Sequence, residues 1–269
     1  MVKAFIINLK ESTDRRSFME AQLLLFPEVD YQFLDAINAR ELADEAISVL
    51  YDEKRALKVL NRPMVRGEIG VALSQLDAMK RITANHDYAL IMEDDLLLSP
   101  YFSESLQKAI DYINQPQPSI VLFTPIPQYS VLDRIIVNEL QRRCIYKIWR
   151  DASAAACYLI NKSACQVILD EYPKVFNVID NWGYFLAQRK IDIRAVVPHV
   201  VAFSKYGLHA STINLDNDRD SKVFTIQQHL SILQRIKIKL GNFIQYRIHQ
   251  VRKSPDVWYN SFHVIQSNF

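Results

Sequence analysis

Residues 86–100, which read HDYALIMEDDLLLSP, constrain the fold of this chain more than any other stretch. Four uncharged, largely apolar residues at 89–92 run directly into three consecutive carboxylates, Glu93, Asp94 and Asp95. An apolar run of this length between polar residues is typical of a strand that is buried on both faces of a sheet covered by helices. The sequence therefore predicts an α/β fold in which the three acids follow the carboxyl end of a central strand.

The position of these acids predicts chemistry, because ligands of open α/β sheets bind in the crevice outside the carboxyl ends of the strands. Adjacent carboxylates repel one another unless a hard divalent cation lies between them. Mg²⁺ and Mn²⁺ prefer oxygen ligands, and their remaining positions often hold a diphosphate. The alternative is that Asp94 or Asp95 only caps a following helix or turn.

Composition limits the class of protein. A chain of 269 residues with 49% hydrophobic content can bury a sizeable core, either as one α/β domain with appendages or as two small domains. Residues 222–253 contain seven Lys or Arg and no acid, which leaves the remainder at −5 from a total of +2. A nucleic-acid binder would be basic across its folded body, so we expect no nucleic-acid partner.

The three cysteines, Cys144, Cys157 and Cys165, match neither a disulfide framework nor a zinc site, and we expect buried thiols. The apolar run at the start of the chain is too short for a signal peptide, and no window reaches the roughly 18 apolar residues of a membrane span. A reducing cytoplasm is the default expectation.

The rest of the chain alternates between strand-like and helix-like patterns. We expect strands at 2–8, 29–34, 120–123 and 154–160, and two short strands within 191–203. We expect helices after 12–13, within 40–60, and at 68–82, 102–113 and 162–171, the last capped by Asn161. Residues 124–143 contain two prolines and no clear period, so we expect a mobile loop there.

Two further features indicate ligands. Arg15 and Arg16 fall in the first turn of a predicted helix, where basic residues oppose the helix dipole. An anionic ligand at the end of the preceding strand would account for them, and so would a surface salt bridge. Asp180, Asn181 and Trp182 place a carboxylate beside a large aromatic ring, which suits a sugar. The alternative there is a helix N-cap followed by a buried Trp.

Certain motifs are absent from the sequence. There is no glycine-rich phosphate loop, no dinucleotide fingerprint and no Gly-x-Ser-x-Gly elbow, and the chain has only five glycines. A nucleotide would therefore have to be held by a metal ion, arginines and side-chain hydrogen bonds. This arrangement is typical of metal-dependent nucleotide-sugar enzymes.

Several short motifs occur in one order over about residues 1–213. They are Phe5-Ile-Ile-Asn-Leu-Lys10 with Asp14-Arg-Arg16, Gly67-Glu-Ile-Gly70 with Leu73-Ser74, Ile91-Met-Glu-Asp-Asp95, Tyr158-Leu-Ile160 and Asp180. Together they resemble glycosyltransferase family 25, which contains lipooligosaccharide galactosyltransferases and glucosyltransferases of Gram-negative bacteria. The chain departs from the family pattern at Val71, Gln75 and residues 152–153, where Cys, His and Gly-Thr are usual.

The resemblance implies a GT-A-like, Rossmann-type nucleotide-binding sandwich with a mostly parallel central sheet. The catalytic domain would span residues 1–215, and residues 216–269 would form a basic, amphipathic helical extension. Glu93 and Asp95 would be the ligands of a Mn²⁺ or Mg²⁺ ion that holds a UDP-sugar. The residues expected to bind the donor are Asn8, Arg15, Arg16, Glu68 and Ser74.

The implied reaction is metal-dependent transfer of galactose or glucose from a UDP-hexose to a lipooligosaccharide or lipopolysaccharide core glycan, with inversion to a β-linkage. Asp180 is the expected general base, with Asp94 and Glu68 as alternatives. Asp180, Asn181 and Trp182 are the expected acceptor-binding residues. Two other classes stay open, a nucleotidyltransferase or phosphohydrolase that uses the same acids, and a non-catalytic sugar-binding protein. The sequence leaves the oligomeric state open.

The C-terminal segment carries an apolar stripe beside its cations. The stripe consists of Ile226, Leu230, Leu233, Ile236, Leu240, Phe243, Ile244, Ile248 and Val251. Such a helix either packs on the catalytic domain or lies on an anionic membrane surface. A lipid-linked oligosaccharide acceptor would favour a peripheral position on the cytoplasmic face of the inner membrane.

Overall fold

The computed structural model describes residues 1–149, 153, 155–204, 248 and 250–254. The helices of this part are α1 Thr13–Leu23, α2 Asp44–Leu50, α3 Glu53–Leu60, α4 Arg66–Asn85, α5 Phe102–Ile113, α6 Lys162–Glu171 and α7 Trp182–Gln188. Its strands are β1 Val2–Asn8, β2 Val29–Asp35, β3 Tyr88–Glu93, β4 Leu96–Leu98, β5 Ser119–Leu122, β6 Gln128–Asn138, β7 Arg143–Ile148, β8 Cys157–Asn161, β9 Asp192–Val197, β10 Val201–Phe203 and β11 Val251–Lys253.

Nine strands of the described part form one sheet in the order β11-β6-β7-β9-β5-β8-β3-β1-β2, and β10 pairs with β4 in a second, two-stranded sheet. Strand β1 lies between β2 and β3 and is parallel to both. The pairings orient six of the nine strands in one direction, with β8, β7 and β11 running opposite. The predicted α/β class with a mostly parallel central sheet is confirmed.

The central sheet separates two hydrophobic cores. On one face, α3, α4, α6 and α7 cover side chains such as Phe5 and Ile91. On the other face, α1, α5 and the small sheet cover Ile6, Leu90 and Met92. All five side chains are at most 2% exposed, so β1 and β3 are buried on both faces, as the apolar run before the acids predicted.

Most predicted elements are present with shifts of one to three residues at their ends. Residues 40–60 form two helices, α2 and α3, and Asn161 caps α6 by accepting a hydrogen bond from the Ala164 N–H. The three cysteines are buried, free thiols, as predicted. Among the described residues, no helix is both long and apolar enough to cross a membrane.

The predicted loop at 124–143 was wrong. Residues 128–138 form the long strand β6, which pairs in antiparallel register with β7 across two irregularities. The middle of β6 is largely exposed, so its polar residues face solvent and the apolar alternation that marks a half-buried strand is missing from the sequence. Its partner strand, and not a local pattern, fixes this segment.

The predicted helical extension at 216–269 lies almost wholly outside the described residues. Within it, Val251–Lys253 form the edge strand β11 on β6, where the sequence predicted helix.

Candidate functional site

A pocket lies at the carboxyl ends of β1, β2 and β3, where the predicted acidic cluster emerges from the sheet. It is lined by Ile7, Leu9, Arg15, Ala36, Ile37, Asn38, Ala39, Arg40, Gly67, Gly70, Val71, Ser74, Gln75, Glu93, Asp94 and Asp95. Its volume of about 140 Å³ is smaller than the roughly 300–1,000 Å³ of a typical ligand pocket. The enclosed part can therefore hold only a portion of a nucleotide sugar.

Helix α4 and the loop after β2 form one wall of this pocket in close contact. A Cβ atom at Gly70 would lie 2.5 Å from the Ile37 carbonyl oxygen, a distance that no side chain can accept. The Ser74 hydroxyl accepts a 2.8 Å hydrogen bond from the Ile37 N–H and donates to the Gly70 carbonyl at 2.7 Å. Gly70 thus allows the loop to approach, and Ser74 fixes it there.

Asp94 is held on both of its oxygens. Its Oδ1 accepts from Nη1 of Arg15 at 3.0 Å, and its Oδ2 accepts from Nδ2 of Asn8 at 2.7 Å. Asn8 also donates to the Ser12 carbonyl at 3.2 Å, which joins the end of β1 to the start of α1. Because both oxygens are engaged by donors, this geometry favours a positioning role for Asp94 over proton acceptance.

Asp95 differs from Asp94 in having one oxygen without a donor. Its Oδ2 lies 3.3 Å from Nη1 of Arg15, whereas its Oδ1 is buried and has no hydrogen-bond partner among the described residues. Burial, followed by the charge of Asp94, raises the pKa of Asp95, and Arg15 opposes that rise. A buried carboxylate oxygen without a partner is costly in a folded protein unless something outside the chain binds it.

Glu93 ends β3 with its carboxylate bordering the pocket. Its pKa is raised to about 8, chiefly because burial disfavours the charged form, and then by the negative charges of Asp95, Asp180 and Asp94. The influence of Asp180 shows that the fold brings this residue, 87 positions along the chain, close to the acidic cluster. Asp180 is partly exposed, as a group that meets a substrate must be.

The residues present fit a divalent cation. Glu93 and the unpartnered Oδ1 of Asp95 offer hard oxygen ligands at the pocket, in keeping with the chemistry of Mg²⁺ and Mn²⁺. In the part of the chain that is described, no three His, Cys, Asp or Glu side chains are arranged to hold a metal ion. Glu93 and Asp95 could hold such an ion together with substrate oxygens and water.

Arg15 and Arg16 are separated by the fold. Arg15 faces the acidic cluster, with its side chain 16% exposed. Arg16 points elsewhere: its guanidinium stacks over Phe33 at 4.4 Å from the ring centroid and pairs with Glu20 at 3.3 Å. Arg16 does not line the pocket. Its contact with Glu20 is the surface salt bridge that the sequence left open as the alternative to an anionic ligand.

The structure places Glu68 at the start of α4. Its carboxylate is buried and accepts hydrogen bonds from Nη2 and Nη1 of Arg62, at 2.6 and 2.7 Å. It also accepts from the Val65 N–H at 3.1 Å. It therefore closes the N-terminus of α4 and does not line the pocket. Ser74 does line the pocket, but its hydroxyl already serves the Ile37 loop.

The structure places the three predicted acceptor-binding residues in different surroundings. Asn181 caps α7 by accepting from the Tyr184 N–H at 3.2 Å, and Trp182 is completely buried against Tyr158, with ring centroids 5.4 Å apart. A buried indole cannot stack on a sugar. Asp180 is partly exposed and its charge acts on Glu93, but it is not among the residues that line the pocket.

Several residues that line the pocket were missed, among them Gln75 and Asn38. Gln75 lines the pocket although it is fully buried, and its side chain binds Tyr158 and the Ala155 carbonyl. Asn38 begins a tight turn in the loop after β2, since its Oδ1 accepts from the Arg40 N–H at 3.3 Å. A signal for this turn was available, because Asn often makes such turns after a strand. No signal in the sequence links Gln75 to Tyr158.

Carboxylates and an arginine meet at the carboxyl ends of the parallel strands β1, β2 and β3. This is the place where open α/β sheets bind their ligands. Residues 1–182 match the family described as "Glycosyltransferase family 25 (LPS biosynthesis protein)". The chain belongs to glycosyltransferase family 25.

The similar proteins are larger than the region they share with this chain. A putative glycosyltransferase, R655, of Acanthamoeba polyphaga mimivirus is 29% identical over 63% of this chain and 52% of its own length. Procollagen galactosyltransferase 1-A of Xenopus laevis is 34% identical over 39% of this chain and 18% of its own length. The chain thus spans about half, or less, of these relatives.

A solved structure of a glycosyltransferase involved in the glycosylation of the major capsid of PBCV-1 covers 79% of this chain and 95% of its own. Its sequence identity is 9%, and its TM-score is 0.37.

Proposed function

We propose that this protein transfers a hexose from a UDP-sugar to the core glycan of a lipooligosaccharide or lipopolysaccharide, with inversion to a β-linkage and with the help of a divalent cation. The observation that carries the proposal is the buried, unpartnered Oδ1 of Asp95 beside Glu93, at the carboxyl end of the central strand. The family description points to lipopolysaccharide synthesis. The name of the Xenopus relative makes galactose the first donor sugar to test.

In this proposal each acid of the cluster has a separate task. Glu93 and Asp95 would hold a Mn²⁺ or Mg²⁺ ion, and Asp94 would orient Arg15 with the help of Asn8. When bound, such an ion stabilises the negative charge that develops on the departing diphosphate, which is worth several kcal/mol. Arg15 adds a second positive charge on the same side, and its side chain is only 16% exposed.

Asp180 is the proposed general base. The acceptor hydroxyl attacks C1 of the sugar, the bond from C1 to the diphosphate oxygen breaks, and the hydroxyl proton passes to the Asp180 carboxylate. Asp180 is favoured over Asp94 because both oxygens of Asp94 already accept hydrogen bonds. It is favoured over Glu68 because that residue is buried against Arg62.

A transfer assay tests the proposal directly. UDP-galactose and UDP-glucose are compared with Mn²⁺ or with EDTA, and UDP release is measured with and without the acceptor glycan. We expect Asp95→Asn and Glu93→Gln to lose at least about a hundredfold in rate and to melt like the wild type. Asp77→Asn is the matched control, because Asp77 forms an exposed pair with Arg81 and does not line the pocket.

Full transfer in EDTA would refute the role of the metal. UDP release that needs no acceptor would favour a phosphohydrolase over a transferase.

We also propose a peripheral association with the membrane that carries the lipid-linked acceptor. The support is that residues 222–253 contain seven Lys or Arg and no acid. Each cation near anionic lipid contributes about 1 kcal/mol to the binding free energy. Liposome co-sedimentation at low salt tests it. Replacing Arg235, Lys237 and Lys239, which lie outside the described residues, with Gln is expected to weaken sedimentation, and an unaltered result would refute the membrane role.

A further inference from the structure

Arg15 occupies a position between two carboxylates of the proposed metal site. Its Nη1 lies 3.0 Å from Asp94 Oδ1 and 3.3 Å from Asp95 Oδ2, and the three side chains are only 10–16% exposed. One guanidinium nitrogen is thus shared by two acids. In the structure, Arg15 supplies the positive charge that these neighbouring carboxylates require.

This position conflicts with a divalent cation on the same acids. A cation held by Glu93 and Asp95 would lie close to the guanidinium, and two positive charges in a largely desolvated pocket repel each other strongly. The cation would therefore bind weakly as long as Arg15 keeps its place.

A diphosphate would relieve the conflict. Guanidinium groups pair with phosphate oxygens through two parallel hydrogen bonds, which makes the donor diphosphate a strong alternative partner for Arg15. Asp94 would not be left without a partner, because Asn8 donates to its other oxygen at 2.7 Å. The loop that carries the acids would thus keep its anchor when Arg15 moves.

We propose that Arg15 is an exchangeable counter-ion that makes cation binding depend on the diphosphate: it neutralises Asp94 and Asp95 in the empty site and transfers to the diphosphate when the donor binds. This inference rests on the proposed function and adds a regulation to it. The site would accept cation and nucleotide together and bind either one alone weakly. By linkage, each ligand strengthens the other by the same factor.

Isothermal titration with Mn²⁺, in the absence and presence of UDP, tests the exchange without any catalytic readout. We expect the wild type to bind Mn²⁺ at least about tenfold more tightly with UDP than without it. In Arg15→Met, we expect Mn²⁺ alone to bind about tenfold more tightly than in the wild type. The factor by which UDP strengthens Mn²⁺ binding should then be smaller than in the wild type, and what remains of it comes from diphosphate oxygens that bind the cation directly.

Two further variants make the test specific. Arg16→Met is the matched control, because its guanidinium lies over Phe33 and away from the acids, and it should bind Mn²⁺ and UDP like the wild type. Arg15→Lys keeps the charge but loses the planar fork. We expect it to keep the weak binding of Mn²⁺ alone and to show less strengthening by UDP.

The outcomes separate this inference from the proposed function. If Arg15→Met binds Mn²⁺ alone no more tightly than the wild type, or keeps the full strengthening by UDP, Arg15 is a fixed partner and the exchange is refuted. Tighter Mn²⁺ binding by equal factors with and without UDP also refutes it, because removal of a charge alone would give that result. If the wild type binds neither Mn²⁺ nor UDP, both the exchange and the proposed function are wrong.

Discussion

Tyr158 on β8 donates a 2.5 Å hydrogen bond to Oε1 of Gln75 on α4, and both side chains are completely buried. Nε2 of Gln75 donates in turn to the Ala155 carbonyl, and the next carbonyl, of Ala156, accepts from the Glu93 N–H. A polar chain therefore runs from α4 to the backbone of Glu93. It holds the end of the central strand beneath the pocket.

The first prediction tests this chain. Tyr158→Phe should lower the free energy of unfolding by about 1–3 kcal/mol, because it leaves the buried Oε1 of Gln75 without a donor. Urea denaturation measures the change. If the bond matters, the double variant Tyr158→Phe with Gln75→Leu should cost less than the sum of the two single variants. Strict additivity would show that the hydrogen bond contributes nothing.

The second prediction concerns the contact between α4 and the loop after β2. Gly70→Ala should destabilise the protein by about 1–3 kcal/mol, although Ala is the better helix former, because its Cβ would meet the backbone of Ile37. Lys80→Ala, at an exposed position of the same helix, is the control and should change stability by less than about 0.5 kcal/mol. A stabilised Gly70→Ala variant would show that the loop moves away at little cost.

The third prediction separates structure from function at Glu68. Glu68→Gln should lower the free energy of unfolding by about 3 kcal/mol, because the guanidinium of Arg62 would lose its buried partner. UDP affinity of the folded variant should be unchanged. Asp77→Asn breaks the exposed pair with Arg81 on the same helix and should cost under about 1 kcal/mol. A stable Glu68→Gln variant with weakened UDP binding would return Glu68 to the donor site.

The fourth prediction concerns Asp180. Asp180→Asn should lower kcat by about 10²–10⁴-fold, because an amide cannot accept the acceptor proton at neutral pH, while Mn²⁺ and UDP affinities are kept. Steady-state kinetics and titration of UDP measure the two effects separately. A raised KM for the acceptor with unchanged kcat would make Asp180 a binding residue only.

The fifth prediction is a pH dependence from His199. Burial lowers its pKa to about 4, and its neutral ring has Nδ1 3.0 Å from the Val196 carbonyl and accepts from the Ile126 N–H on Nε2. The unfolded chain takes up this proton near pH 6.5, so the folded state binds fewer protons between about pH 6.5 and 4. The stabilisation is present above pH 6.5 and is lost as pH falls towards 4.

In the wild type, His199 should lower the free energy of unfolding by on the order of 3 kcal/mol as the pH falls from about 6.5 to 4. His199→Gln should remove this contribution. Urea denaturation at a series of pH values in EDTA measures it. An equal slope in the variant and the wild type would show that His199 does not titrate in this range.

The sequence predicts well those strands and helices whose own residues show an apolar run, a hydrophobic period or a capping residue. The apolar run before Glu93 predicts a strand buried on both faces, and β3 is such a strand. Asn161 before an apolar period predicts the cap of α6. Strand β6 was missed, because its exposed middle section carries no alternation and its partner β7 is what makes it a strand.

The sequence by itself determined the α/β class and the place of the acids at a strand end, because hydrophobic periodicity and consecutive carboxylates are local properties. Only the tertiary structure decided which polar residues face the pocket. Arg15 and Arg16 are adjacent in the chain, but Arg15 contacts Asp94 whereas Arg16 lies over Phe33. The burial of Trp182 depends on how α7 packs, which no local pattern records.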